Sequence, residues 1–336
     1  MSLPHGNGIQ TLETYRLVQG ARSLSCYLCG MENSSESEFC THCLAPMALG
    51  RHFHETGETP SLIAMLGMPD VGKTVYMSLL MDMLSRDRSV GSLVFRGGYS
   101  LVSQQEAIQR LSRCQFPQHT ERRSEDWSWT HCCFHRMTDD TTVDMIFPDP
   151  SGHALLEELQ RPHSHKQLRG VAQMGTAAML LVDAQSLAKG CPETNYTSMQ
   201  LLSLLADQDD NRMFGPARDQ TADLAGWSKR PLAILLTKTE RCEAAYMDPE
   251  KYIAQRAPGL WDRCREHFDV HKYFAVRVSG TCIDCQTIEG RQYVPLRIEP
   301  HGIVEPFYWI LDQIKELKRK SKKGLLRRLF AKKKNS

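Results

Sequence analysis

Apolar positions along the chain gather in short dense runs set between longer polar stretches. Leu62-Ile-Ala-Met-Leu66, Ala178-Met-Leu-Leu-Val182 and Leu232-Ala-Ile-Leu-Leu236 are each continuous for about five residues, too short for a helix, and each predicts a buried strand. Thr142–Phe147 and Tyr273–Val278 read as two more strands. Trp127–Met137 alternates, which places Trp127, Trp129, His131, Cys133 and His135 on one face of a strand. Between these runs, Val75–Leu84 and Thr197–Ala206 read as helices. Phe307, Ile310, Leu311, Ile314 and Leu317 repeat at the spacing of one helix face. Buried strands alternating with helices predict an α/β fold, a mostly parallel sheet flanked by helices. The longest apolar stretches, Ala177–Val182 and Leu232–Leu236, are far short of the ~20 residues that span a bilayer.

Composition refines this picture in two places. The 336 residues carry a net charge of only +2, but from Lys315 onward eleven Lys/Arg face the single acid Glu316. The tail therefore holds +10 and the body −8. Twelve cysteines occur in a chain whose first residues, Met1-Ser-Leu-Pro-His-Gly, carry no secretory pattern. Reduced thiols and metal binding in the cytoplasm are then expected rather than a disulfide framework.

Four of those cysteines form the pairs Cys26-Tyr-Leu-Cys29 and Cys40-Thr-His-Cys43. Each pair can form a knuckle offering two thiolates, and two facing knuckles complete the closed tetrahedral shell of a structural Zn²⁺. The pattern resembles a zinc ribbon, and four thiolates leave no open position for catalysis. His42, inside the second knuckle, is read as exposed and not ligating. The boundaries that follow are an N-terminal extension at 1–20, the ribbon at 21–50, a linker at 51–60, the main domain at 61–318 and a basic tail at 319–336.

The strand ending at Leu66 runs into Gly67-Met-Pro-Asp70-Val71-Gly72-Lys73-Thr74, and Val75 opens the following helix. Strand, glycine-containing loop and helix in this order make a phosphate-binding loop of the Walker A kind. Its glycines bring backbone N–H groups to the phosphates, Lys73 reaches the β/γ oxygens, Thr74 ligates Mg²⁺, and the helix N-terminus adds its dipole. Asp149-Pro-Ser-Gly152 follows the strand at Thr142–Phe147. An acid there holds Mg²⁺ through water, and Gly152 offers an N–H to a γ-phosphate. This form favours GTP chemistry over an ATPase with paired acids. Two further segments lie at strand ends, Thr237-Lys238-Thr239-Glu240 and Ser279-Gly280.

In this order the motifs resemble those of TRAFAC-class P-loop GTPases. With the ribbon and the Glu305-Pro-Phe-Tyr-Trp-Ile helix, the chain is most similar to the bacterial double-GTPase family. That resemblance implies that Thr237, Lys238 and Glu240 read the guanine base with help from Ser279 and Gly280. It also implies that His153 occupies the position of the residue that orients the attacking water, and that a switch threonine, Thr120 before Thr130, completes the Mg²⁺ shell. It implies a partner protein, a second GTPase or effector, in a conflict or defence system. Two departures stand out. Glu240 is one methylene longer than the family's Asp, and His153 replaces the commoner Gln, as in translation factors.

Three functional readings follow: a Mg²⁺-dependent GTP-hydrolysing switch, a nucleotide-dependent scaffold without turnover, and a nucleic-acid-dependent ATPase. The last ranks lowest because the ribbon has no dense basic patch. For the tail, Leu325/Leu329 and Leu326/Phe330 at i, i+4 among lysines and arginines fit an anionic membrane surface, with a solvated tail as the equal alternative and nucleic acid as a lesser one. Cys282 and Cys285 with Cys264, His267 and His271 are a weaker metal constellation, for which a reduced thiol pair is the preferred reading.

Overall fold

A computed structural model describes residues 23–57, 60–96, 105, 108–113, 127–206, 226–280, 282–287, 290–295 and 297–334. Thr120 lies outside them. The strands are β1 (Ser23–Ser25), β2 (Glu32–Ser34), β3 (Ser61–Leu66), β4 (Gly91–Phe95), β5 (Ser128–Arg136), β6 (Thr141–Asp149), β7 (Ala177–Asp183), β8 (Leu232–Thr237), β9 (His271–Ala275), β10 (Arg277–Ser279), β11 (Cys282–Thr287), β12 (Gly290–Pro295) and β13 (Ile298–His301). The helices are α1 (Met47–Thr56), α2 (Lys73–Arg86), α3 (Gly152–Gln160), α4 (Lys166–Met174), α5 (Ala184–Ala188), α6 (Pro192–Ala206), α7 (Glu243–Met247), α8 (Pro249–Arg256), α9 (Pro258–His267) and α10 (Glu305–Lys334).

Seven strands form the central sheet in the order β4-β5-β6-β3-β7-β8-β9. From β6 to β9 every neighbouring pair is parallel, and β5 runs antiparallel to both β4 and β6. All six residues of β3 and of β8 are buried, as continuous apolar runs require when both sheet faces are covered. Leu62, Ala64 and Leu66 face one core with Leu180, Ile234 and the helices α4, α6, α8 and α9. Ile63 and Met65 face the other, with Met179, Leu235, α2 and the first turns of α10.

Three segments differ from expectation. Residues 51–60, expected as a linker, carry the last turns of α1. This helix follows an extended Pro46, buries Met47 and Leu49, and is capped by Gly57, whose φ of 67° suits glycine. Its histidines hid the helix, because apolar periodicity is weak where polar side chains are buried by pairing. The strand expected over Tyr273–Val278 breaks at Val276, whose N–H donates to Leu236 O, and its second half pairs with β13. The tail expected at 319–336 continues the last helix to Lys334. No helix among the described residues is long and apolar enough to cross a membrane.

Candidate functional site

Because β3 and β6 are adjacent and parallel, their C-terminal ends open on the same sheet edge, and the loops that follow them meet. After β3, the loop turns through Asp70 at φ 60°, a left-handed position that an aspartate tolerates, and Gly72 at φ 96°, which caps α2. Lys73 is buried. Its Nζ donates to Gly67 O at 3.0 Å and Met68 O at 3.3 Å, folding the ammonium into the loop's own carbonyls. Burial pushes its pKa down, opposed by Asp149 and Asp70. Val71 is buried beneath the loop, and Val75, in the first turn of α2, packs on the core shared with α10.

After β6, Asp149 meets the first turn of α2: Thr74 Oγ1 donates to Asp149 Oδ2 at 3.2 Å. The other carboxylate oxygen, Oδ1, is buried without a hydrogen-bond partner. Burial pushes the Asp149 carboxyl up, and Lys73 and Thr74 offset only part of this. An orphaned buried carboxylate oxygen beside a threonine hydroxyl is the donor set that a hard divalent cation completes, so these residues fit Mg²⁺. Gly152 presses against the phosphate loop; a Cβ there would lie 2.3 Å from Pro69 N. Ser151 caps α3 by accepting from Ala154 N, and His153 sits exposed in the first turn.

The Thr237–Glu240 segment joins the same edge. Thr237 Oγ1 donates to Val71 O at 2.8 Å, tying the end of β8 to the phosphate loop. Lys238 takes a left-handed conformation (φ 56°), and its Nζ donates to Asp183 Oδ2 at 2.7 Å. Thr239 Oγ1 donates to Val276 O at 3.0 Å, and Ser279 Oγ to Glu240 Oε1 at 3.1 Å. Glu240 Oε2 is buried and unpartnered, an acceptor set at the end of the sheet. Gly280 donates its N–H to Arg297 O. The structure thus brings Gly67–Thr74, Asp149, Gly152, Thr237–Glu240 and Ser279 to one edge. Thr130, the second switch candidate, is part of β5 opposite Phe147. Sequence reading missed Asp183. Its signal was there, an acid closing an apolar run before a helix, where it caps α5 by accepting from Gln185 N and Ser186 N.

The four ribbon cysteines come together on β1, β2 and the turns beside them. Cys26 and Cys43 sulfurs lie 3.6 Å apart, as do those of Cys29 and Cys40, and all four fall within 4.8 Å of one another. A disulfide would need about 2 Å. Tetrahedral Zn–S bonds of about 2.3 Å place sulfurs roughly 3.8 Å apart, so the set fits a structural zinc. His42 N and Asn33 Nδ2 point to Cys40 Sγ at 3.4 and 3.5 Å, supporting that sulfur from outside the cluster. Among the described residues Cys264 belongs to the core and joins no metal-type cluster with His267 or His271. Cys282 and Cys285 lie on β11, and their side chains fall outside the described residues.

The backbone is similar to nucleolar GTP-binding protein 1 from Plasmodium falciparum, at 13% identity and a TM-score of 0.41, over 82% of this chain and 96% of that one. It is also similar to Roco2 RocCORdC of Methanosarcina barkeri bound to GDP, at 14% identity and a TM-score of 0.32, and to the bacterial selenocysteine-specific elongation factor EF-Sec, at 14% identity and a TM-score of 0.34. The chain spans 79% of itself and half of the Roco2 chain, and 78% of itself and 29% of the elongation factor. No curated protein matches the sequence. A model of the Double-GTPase 2 family matches residues 61–253, the stretch from β3 through most of α8 that holds the phosphate loop, Asp149, Gly152 and the Thr237–Glu240 segment. With more than half of its length in that match, the chain belongs to the Double-GTPase 2 family.

Proposed function

We propose that the protein is a Mg²⁺-dependent switch that binds and hydrolyses GTP. The observation that carries this reading is the pair of buried, unpartnered carboxylate oxygens at one sheet edge, Asp149 Oδ1 beside Thr74 and Glu240 Oε2 beside Ser279. The first suits a cation and the second the N–H groups of a guanine ring, which adenine cannot supply in the same place. Lys73 leaves the loop carbonyls to neutralise phosphate charge, Thr74 and Asp149 hold the metal with Thr120, and Gly152 offers its N–H to the γ-phosphate. Bound Mg²⁺ supplies charge neutralisation across the phosphates. His153 orients the water whose oxygen bonds to the γ-phosphorus as the bond to the bridging oxygen breaks, yielding GDP and phosphate. Nucleotide state would then order the loops around Asp149 and Thr120 for a partner protein, a second GTPase or effector in a conflict-type system. Zn²⁺ on Cys26, Cys29, Cys40 and Cys43 serves structure.

Side-by-side titration with labelled GTP and ATP tests this. GTP is expected to bind at least tenfold tighter, with Glu240→Ala abolishing the preference and Asp149→Ala abolishing Mg²⁺-dependent turnover. Equal affinity for both nucleotides, or hydrolysis unaffected by Asp149→Ala, refutes it. The exposure of His153 favours a second reading, a scaffold that binds GTP without turnover. Tight GTP binding with no phosphate release, alone or with a partner, selects it.

A further inference from the structure

Away from the nucleotide edge, three side chains from three elements converge on one buried point. His52 of α1 places Nε2 2.9 Å from Asp144 Oδ2. His131 of β5 places Nε2 3.1 Å from the same oxygen and 3.2 Å from Oδ1. The two rings stand nearly perpendicular, their planes at 74° and centroids 4.9 Å apart, with both Nε2 atoms turned to the carboxylate of β6. The side chains of His52, His131 and Asp144 are only 15%, 7% and 5% exposed. One donor atom from each lies within 4.8 Å of the others.

We infer that His52, His131 and Asp144 form a second metal site, of imidazole and carboxylate ligands, that fastens α1 to the nucleotide-binding sheet. Three arguments support it. The first is geometric: ligands about 2.0–2.1 Å from a tetrahedral ion lie roughly 3.3 Å apart, so the imidazole-to-carboxylate separations of 2.9–3.2 Å need only a few tenths of an ångström of expansion, and all three donor atoms fall within 4.8 Å of one another. The second is electrostatic. Burying a carboxylate is costly unless positive charge accompanies it, and a divalent ion held between Asp144 and the two imidazole nitrogens would supply that charge inside the core. Arg96 also acts on Asp144, but its own side chain belongs to an exposed residue.

The third concerns ligand chemistry. Two histidines and one carboxylate, with a fourth position left for water, suit Zn²⁺ or another first-row divalent ion and not the all-oxygen shells of Mg²⁺ or Ca²⁺. The site is chemically distinct from the four thiols. It is mechanically joined to them, because His52 follows Cys43 by nine residues while Asp144 precedes Asp149 by five on one strand. A metal here would pin the module behind the cysteines to the strand that ends at the nucleotide edge.

The test is metal content of the full chain by plasma mass spectrometry, after Zn²⁺ loading and dialysis against metal-free buffer, for wild type, His52→Gln and Cys40→Ser. The expected counts are two, one and one per chain. Wild type at one and His52→Gln at none would still support the site and would instead remove zinc from the thiols. Counts of one, one and none overturn the inference and leave a hydrogen-bonded triad. A second measurement needs no variant. With the thiols filled by Zn²⁺, added Co²⁺ should give visible d–d bands without a thiolate charge-transfer band. Absence of any bound Co²⁺ absorption also overturns the inference.

Discussion

At the scale of single residues, Gly152 carries the sharpest constraint. A methyl group there would meet backbone, not a flexible side chain, at 2.3 Å from Pro69 N and 2.5 Å from Pro69 Cα. Gly152→Ala must therefore push the Asp149–Gly152 loop off the phosphate loop. GTP turnover should fall at least a hundredfold while GDP affinity changes less than threefold, as measured by phosphate release and calorimetry. Thr237→Val removes the hydroxyl that holds Val71 O and leaves a buried carbonyl unpaired, a loss of about 1–3 kcal/mol. Urea unfolding without nucleotide should show it. Asp183 gives a pH signature. Burial alone would raise its pKa, but Lys238 and the Ser186 N–H outweigh burial and hold the carboxyl below its usual value. A depressed folded-state pKa contributes stability above the ordinary value of about 3.9 that is lost as pH falls through the lower folded value. Asp183→Asn keeps the cap and removes the charge, so it should cost about 1 kcal/mol at neutral pH, with Lys238 37% exposed limiting the effect. The difference from wild type should shrink as pH falls through that lowered value. Of these residues, Gly152 and Thr237 were legible as motif positions, whereas Asp183 was not, since its role depends on Lys238 arriving from another strand.

At the scale of elements, the strands were legible wherever burial on both faces made them continuous apolar runs, as in β3, β7 and β8. They were misread where pairing and not hydrophobicity decides, as at Val276, where the chain leaves one sheet for another. Helix α1 was missed for the same reason: Gly50 approaches Ser25 O so closely that its Cβ would lie at 3.0 Å, and His52 is buried by pairing with Asp144. Docking of the ribbon on α4 gives an element-level prediction. Gly170 faces Leu28 of the ribbon, and a Cβ would lie 2.4 Å from Leu28 Cγ. Helix propensity favours Gly170→Ala by about 1 kcal/mol. Overpacking against a buried leucine costs typically 1–3 kcal/mol, so the net change should be destabilising. Combining Gly170→Ala with Leu28→Ala should cost less than the two single changes summed, because the first clash disappears. Additive losses in thermal unfolding would show that the ribbon does not rest on α4.

At the scale of the molecule, the ribbon and the main domain share one core: Leu24, Leu28, Met47 and Leu49 belong to the same cluster as Leu66, Leu168 and Leu201. The division at 51–60 is thus a change of sequence character and not a break in packing. The other end behaves differently. Ile310, Leu311 and Ile314 bury the start of α10, and Lys318 Nζ reaches Ser61 Oγ at 3.5 Å. The residues from 321 to the end contribute seven Lys/Arg and no acid. The described buried face of α10 lies at Phe307, Ile310, Leu311 and Ile314, so removing residues 321–336 should shift the thermal midpoint by less than about 2 °C and leave nucleotide affinity unchanged. If that basic segment serves an anionic membrane surface, the full chain should sediment with phosphatidylserine vesicles at low salt and not with neutral ones. At roughly 1 kcal/mol for each cation near the surface, deletion should weaken binding at least a hundredfold even when fewer than half of the seven charges reach it. Equal sedimentation of both chains, or none by the full chain, would assign the charge to solvent. Because stability and nucleotide binding report on the acidic body while vesicles report on the basic end, the three readouts separate the two parts of a chain whose net +2 conceals them.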